Sequence, residues 1–282
     1  MIAFLGTGLM GTGFVSAMLA RGEAVTVWNR TISRARPLAA LGANVAGGPA
    51  AAVRGANRVH LSLLDDAAVD GVIEQFLPAL EPGAVLIDHS TTATQPTAAR
   101  ADRLARRGVK FLHAPVLMGP GNARDATGMM LVAGPQLIFD ETRSELERMT
   151  GKVRYLGQRA DLAAAYKLFG NMMIMFIVGG TADIFALARG IGIDPGDAIT
   201  LFSDFNPAGQ ITARGKRMAA GEFTPAAFEL SAARKDIRLM LDSAREAGAT
   251  LHMLPAIAKR FDEIIAAGHG SDDLAAAGAD IP

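Results

Sequence analysis

At 282 residues, half of them hydrophobic and a fifth charged, the chain is long enough to bury a substantial core in two domains and too apolar to be disordered. Its 28 basic and 28 acidic residues cancel, so nothing in the charge balance points to nucleic acid or to an anionic membrane surface. With no cysteine, disulfides, thiolate chemistry and cysteine-ligated zinc are excluded, and no metal site is expected.

The chain opens on an apolar run, Met1–Leu5, that stops at Gly6; glycines recur at Gly8 and Gly11, and Phe14, Val15, Met18 and Leu19 follow at helical spacing. Strand, tight turn and helix N-terminus in that order are what a dinucleotide-binding βαβ unit requires. The first glycine makes the turn, the second lets backbone approach a pyrophosphate, and the third lets helix and strand pack closely. The helix N-terminus offers unpaired N–H groups and partial positive charge to phosphate. Gly6, Gly8, Leu9, Met10 and Gly11 are therefore candidate cofactor contacts. A strand starting at residue 1 leaves no room for a signal peptide, and the expected location is the cytoplasm.

Ala24–Asn29 reads as the second strand. A carboxylate at its end would bond ribose hydroxyls and repel a 2′-phosphate. The chain has Asn29-Arg30-Thr31 there, with Arg34 and Arg36 behind. Arg30 can stack on adenine or pair with phosphate, Thr31 can offer a hydroxyl and Arg34 a second guanidinium, which selects NADP over NAD; the alternative is a solvated basic loop. Arg58–Leu64 has a buried-strand pattern whose last residues, Leu63 and Leu64, are further candidate cofactor contacts, and Asp65-Asp66 caps a helix running to Phe76. Ala84–Asp88 is the next strand and ends in His89-Ser90-Thr91-Thr92, hydroxyls on the ligand side of an open α/β sheet that could equally cap a helix. Lys110–Ala114 and Gly128–Ala133 read as strands, and Pro115–Ala123 between them as a loop too rich in glycine and proline to be regular.

The alternation closes at Gly157, and a domain boundary is expected near residue 160, with 1–160 the nucleotide-binding domain and 161–282 an all-α domain. Leu162–Arg189 holds no proline and carries Leu162, Tyr166, Phe169, Met173, Phe176, Ile177 and Ile184 at helical spacing, a helix of about 28 residues against a usual 11 to 12. Apolar on more than one face, it is expected to be enclosed by other helices or by a partner subunit. Its most apolar stretch, Met172–Gly180, is too short for a bilayer, which needs about 20 residues. Lys167 and Asn171 lie four apart and share a face. An ammonium aimed at a substrate carbonyl can bond the oxygen and donate a proton as hydride arrives, with Asn171 holding the same oxygen or orienting the lysine. The alternative is a lysine snorkelling to solvent from a helix end.

These residues together resemble the β-hydroxyacid dehydrogenase family, which includes 3-hydroxyisobutyrate dehydrogenases and glyoxylate/succinic semialdehyde reductases. Gly6–Gly11 is similar to its cofactor fingerprint, Val25–Thr31 to its NADPH-preferring branch, Asp88-His-Ser-Thr91 to its Asp-x-Ser-Thr, Lys167-Leu-Phe-Gly-Asn171 to its catalytic Lys-x-x-x-Asn, and Lys235-Asp236 to its Lys-Asp. The resemblance implies an α/β fold with an N-terminal Rossmann domain, a long interdomain helix and an all-α C-terminal domain that joins subunits into a homodimer or homotetramer. It implies Lys167 as general acid toward a small carbonyl substrate, Asn171 as its positioning partner, and Thr91 and Lys235 as cofactor contacts.

Two departures stand out. The family's substrate loop, Asp-Ala-Pro-Val-Ser-Gly-Gly, is here His113-Ala-Pro-Val-Leu117-Met118-Gly119, which removes a hydroxyl and adds bulk where a carboxylate would be gripped. Leu117, Met118 and Gly119 are the candidate substrate contacts, and His113 reads more simply as a packed strand end than as a catalyst. The approach to the lysine, Gly157–Tyr166, looks more like that of the related imine reductases. Three readings follow: an NADPH-dependent reductase of small aldehydes or keto acids, an imine reductase-like enzyme, or a catalytically silent NADP-binding scaffold.

Overall fold

The computed structural model describes residues 1–280. The chain divides into two compact units, Met1–Met172 and Met173–Pro282.

In the first unit the short apolar runs form parallel strands: β1 (Ile2–Leu5), β2 (Val25–Trp28), β3 (Asn44–Val45), β4 (Arg58–Leu61), β5 (Val85–Asp88) and β6 (Lys110–His113). They make one sheet in the order β3-β2-β1-β4-β5-β6, the doubly wound arrangement of a Rossmann domain. All four residues of β1 and of β5 are buried, as strands covered by helices on both faces must be. Helices α1 (Leu9–Ala20), α2 (Pro49–Val53), α3 (Asp66–Phe76) and α4 (Thr94–Arg106) connect the strands. One apolar layer gathers Phe4, Phe14, Met18, Val27 and Ile87, and the opposite layer Leu5, Val59, Leu61, Ile73, Phe76 and Leu86. Asp65 caps α3 as expected, its Oδ1 accepting the Ala68 N–H at 2.8 Å.

Beyond β6 the chain builds a second sheet from β7 (Val116–Leu117), β8 (Met129–Val132) and β9 (Lys152–Tyr155), with β7 antiparallel and β9 parallel to β8. The glycine- and proline-rich segment expected to be irregular thus contributes β7 and the short helix α5 (Pro120–Arg124). Tertiary packing overrides local composition here: a Cβ on Gly13 of α1 would stand 2.8 Å from the Pro120 carbonyl oxygen, so the missing side chain is what admits α5. Helix α6 (Gln136–Glu147) leads to β9.

The long helix α7 runs Asp161–Gly190, 30 residues. Met172, Met175, Phe176, Ile177 and Val178 on it are more than half exposed, so this chain alone does not enclose it. It is also longer than the apolar stretch judged too short for a bilayer: an 18-residue window averages 1.6 in mean hydropathy, enough by length and composition to cross a membrane.

In the second unit α7 is followed by α8 (Pro195–Asp204), α9 (Gly209–Ala220), α10 (Leu230–Glu246) and α11 (Leu254–Ile264). Leu230, Ile237, Phe261 and Ile264 are among the buried core side chains. Asp183 of α7 accepts the N–H groups of His252, Met253 and Leu254 at 2.7, 2.9 and 3.0 Å, and so caps α11 from a neighbouring helix. Burial opposes the charge on Asp183, but those amides hold its carboxyl below the usual range.

Candidate active site

Strand β1 ends in the glycine turn, and the structure gives each glycine a reason. Gly6 has φ +100°, and a Cβ there would stand 2.1 Å from the Ser62 carbonyl oxygen. A Cβ on Gly11 would stand 1.9 Å from the Gly6 carbonyl oxygen, so α1 could not approach the turn. At Gly8 the same construction meets nothing within 4 Å. Its Cβ direction is open, as close approach of a pyrophosphate to backbone requires. No side chain caps α1 and its first turn holds no acid, so its N–H groups remain available to phosphate.

These residues wall a cavity of about 830 Å³ that brings together Gly6, Gly8, Leu9, Met10, Asn29, Arg30, Thr31, Arg34, Leu63 and Leu64. Its lining suits a dinucleotide: glycines that let backbone approach a pyrophosphate, and two guanidiniums and a hydroxyl for a further phosphate. Gly11 is buried behind it. Asn29 contributes rigidity: its Oδ1 accepts the Thr7 N–H at 3.1 Å and its amide donates to the Thr31 carbonyl at 2.9 Å, tying the glycine turn to the basic loop.

A second cavity, of about 150 Å³, is lined by Met10, Phe14, Ser62, Leu63, His89, Ser90, Thr91, Val116, Met118 and Lys167. Met10, Ser62 and Leu63 line both, so the two adjoin. Thr91 and Lys167, drawn from segments 76 residues apart, are thereby brought to one small chamber with an apolar side (Met10, Phe14, Val116, Met118) and a polar side (Ser62, His89, Ser90, Thr91, Lys167). Burial is the cause that pulls the Lys167 ammonium below the ordinary lysine range, which makes it a better proton donor near neutral pH.

Other expected residues sit elsewhere. Leu117 turns away from the chamber and fills the space over Gly170, where a Cβ would lie 2.7 Å from Leu117 Cδ2. The Gly119 N–H, expected among the substrate contacts, donates to Asn122 Oδ1 at 3.0 Å. Asn171, one turn beyond Lys167, is half-buried and does not line the chamber. Lys235 lies on α10 in the second unit, with Nζ 2.7 Å from Asp236. His113 is fully buried and donates through Nε2 to the Ser90 carbonyl at 3.1 Å. Ser62, His89 and Phe14 were not singled out from sequence as site residues, whereas Ser90 stands among the hydroxyls expected on the ligand side of the sheet. The available signal for Ser62 was its position just past the carboxyl end of β4, where an open α/β sheet binds its ligands; Ser90 Oγ accepts the Leu63 N–H at 2.9 Å.

A parallel sheet of this order around a glycine turn defines a dinucleotide-binding domain, and residues 1–157 match the family model described as the NAD binding domain of 6-phosphogluconate dehydrogenase. Residues 162–279 match the model described as NAD-binding of NADP-dependent 3-hydroxyisobutyrate dehydrogenase. The chain belongs to the 3-hydroxyisobutyrate dehydrogenase-like family of β-hydroxyacid dehydrogenases and is an NAD(P)-dependent oxidoreductase. It is 28% identical to glyoxylate/succinic semialdehyde reductase 1 of Arabidopsis thaliana, over 98% of this chain and 96% of that one. An imine reductase of Streptomyces aurantiacus is 30% identical over 98% of this chain and 97% of its own, with a TM-score of 0.89. The imine reductase of Myxococcus stipitatus, solved with NADP+, shares the fold at a TM-score of 0.91 and 22% identity, covering 98% of both chains.

Proposed function

We propose that this protein is an NADPH-dependent reductase of a small aldehyde or keto acid, of the glyoxylate or succinic semialdehyde type, with Lys167 as general acid. The observation that carries the reading is a half-buried ammonium lining a small chamber that adjoins the dinucleotide-sized cavity. Gly6, Gly8, Leu9 and Met10 would hold the pyrophosphate half of the cofactor, and Arg30, Thr31 and Arg34 the 2′-phosphate that distinguishes NADPH from NADH. When bound, the cofactor supplies hydride. Lys167 bonds the carbonyl oxygen and delivers the proton that completes the alcohol, and its lowered proton affinity eases that transfer. Met10, Phe14, Val116 and Met118 give the chamber an apolar side, and a less polar surrounding strengthens the ammonium's interaction with developing negative charge.

Reduction of C=N bonds is the second reading. It is favoured by Gly119, whose N–H is already engaged by Asn122 and so cannot grip a substrate carboxylate, and by the likeness to the Streptomyces imine reductase. Against it, an ammonium repels an iminium. We propose further that the protein acts as a homodimer or homotetramer in the cytoplasm.

The test is oxidation of NADPH and of NADH with glyoxylate, succinic semialdehyde and a cyclic imine, run on the wild type and on Lys167→Ala. The variant is expected to lose roughly a hundred- to ten-thousand-fold in kcat while binding NADPH as before. Undiminished turnover rejects the lysine's role, and turnover of the imine alone selects the second reading.

A further inference from the structure

We infer that His89, oriented by His60, is a positioning residue that sets the loop Ala114–Gly119 against the chamber beside Lys167. The inference rests on the reading that the reacting double bond occupies that chamber.

His60 lies in β4 and His89 directly after β5, and their exposures are 0% and 5%. Their rings form a slab with two phenylalanines: Phe4 lies nearly parallel to His60 with centroids 5.6 Å apart, His60 and His89 lie nearly parallel and meet at their edges with centroids 5.2 Å apart, and Phe14 leans on His89 at 5.4 Å. Hydrogen bonds leave this slab one arrangement of protons. The Ala114 carbonyl can only accept and lies 2.7 Å from His89 Nδ1, so that nitrogen carries a proton. In a neutral ring Nε2 is then an acceptor. It lies 2.9 Å from His60 Nδ1, which must donate. His60 Nε2 is left to accept from Arg58 Nε at 3.0 Å. The result is a one-way chain, Arg58 to His60 to His89 to the Ala114 carbonyl, in which both rings are neutral Nδ1–H tautomers. A second proton on either ring would set donor against donor. Burial supports this state: it takes His89 down to about 4, against the pull of the Ala114 carbonyl and Asp88, and His60 well below its ordinary value.

The end of the chain is where it matters. Ala114 is the residue of the substrate loop that directly follows β6, and the next carbonyl, that of Pro115, accepts the Leu131 N–H of β8 at 2.9 Å. The loop is therefore gripped on one side by the second sheet and on the other by His89. Between those grips and Gly119 it presents Val116 and Met118 to the chamber that His89 itself lines. A directional, fully satisfied polar chain of this kind specifies one geometry more sharply than apolar packing does.

Two measurements on the full chain decide it. In long-range 1H–15N spectra of histidine-labelled protein at pH 7, both rings are expected as neutral Nδ1–H tautomers, the less common form in water. In kinetics with succinic semialdehyde as the probe, His89→Phe keeps ring volume and His89→Gln places its amide near Nε2; each should raise KM by roughly five- to tenfold, the size of one lost buried hydrogen bond. NADPH affinity should not change in either. His89→Asn, whose amide can take the place of Nδ1, should recover most of that loss. An Nε2–H or charged ring, or equal KM values for the Phe and Asn variants, overturns the inference. A wild type that does not reduce the probe overturns the carbonyl reading instead, and the tautomers still decide this one.

Discussion

At the scale of single residues, the two side chains that make the substrate loop unusual do different jobs. Leu117 packs over Gly170 with Leu131, Ala133 and Ala163, whereas Met118 lines the chamber beside Lys167. Leu117→Ala should therefore cost stability, about 1–2 kcal/mol for a partly buried leucine, and leave the order of substrate preference alone. Met118 also packs against the core, and Met118→Ala should in addition change relative kcat/KM across glyoxylate, succinic semialdehyde and a cyclic imine. If Leu117→Ala reorders the substrates and Met118→Ala does not, the assignment of the two side chains is reversed. The sequence marked both positions as a departure but could not separate them. Which one faces the chamber depends on the room left by Gly170 and Gly128, whose Cβ would stand 2.6 Å from Met118 Cβ. Asn29 carries the same lesson: its place beside the basic loop was legible, its hydrogen bond across to Thr7 of the glycine turn was not.

At the scale of elements, what was legible was local. The β1–α1 turn, the capped start of α3 and the thirty-residue α7 are written in spacing along the chain, and all three were found. What escaped joins segments far apart: β7 and α5, which tertiary contacts build from a glycine- and proline-rich segment, the Asp183 cap on α11, 69 residues away, and the His60–His89 pair between β4 and β5. That pair also sets an acid limit on the sheet. The unfolded chain binds a proton at an ordinary histidine near pH 6.5, while folded His89 does so only at about 4. Between those values the unfolded state binds more protons, so stability falls as pH falls, by about 3 kcal/mol for His89 alone. His60 and His113, also lowered by burial, act in the same direction. Asp273 is separate: burial opposes its charge, but the Ala275, Ala227 and Phe228 amides and Arg214 hold it at about 2, so its contribution is lost only in stronger acid. The urea midpoint should thus drop steeply from pH 7 to pH 4.5, and less steeply in His89→Asn. A flat profile in the wild type, or the same slope in the variant, would show that the histidines do not titrate as their burial dictates.

At the scale of the whole molecule, α7 poses the remaining question, because Phe169, Met172, Met175, Phe176, Ile177 and Val178 present a row of apolar side chains to solvent. An exposed apolar row of this kind marks an interface. A bilayer and a second copy of the chain could both cover it. Asp183 weighs against the bilayer. It sits on the same helix as a buried carboxylate whose charge is engaged by the three leading N–H groups of α11, so inserting α7 would carry an ion and the end of a second helix into hydrocarbon. A second copy needs no such cost and would bury the row against its own counterpart, as an isologous interface does. Sedimentation of the wild type without detergent is expected to give a dimer or tetramer at micromolar concentration. Ile177→Glu should weaken that association more than a hundredfold, since an unpaired charge buried at an interface costs about 3–5 kcal/mol. A wild type that sediments as a monomer, or that partitions into membranes on cell fractionation, refutes the second-copy assignment; a dimer that persists unchanged in Ile177→Glu moves the interface off this face of α7.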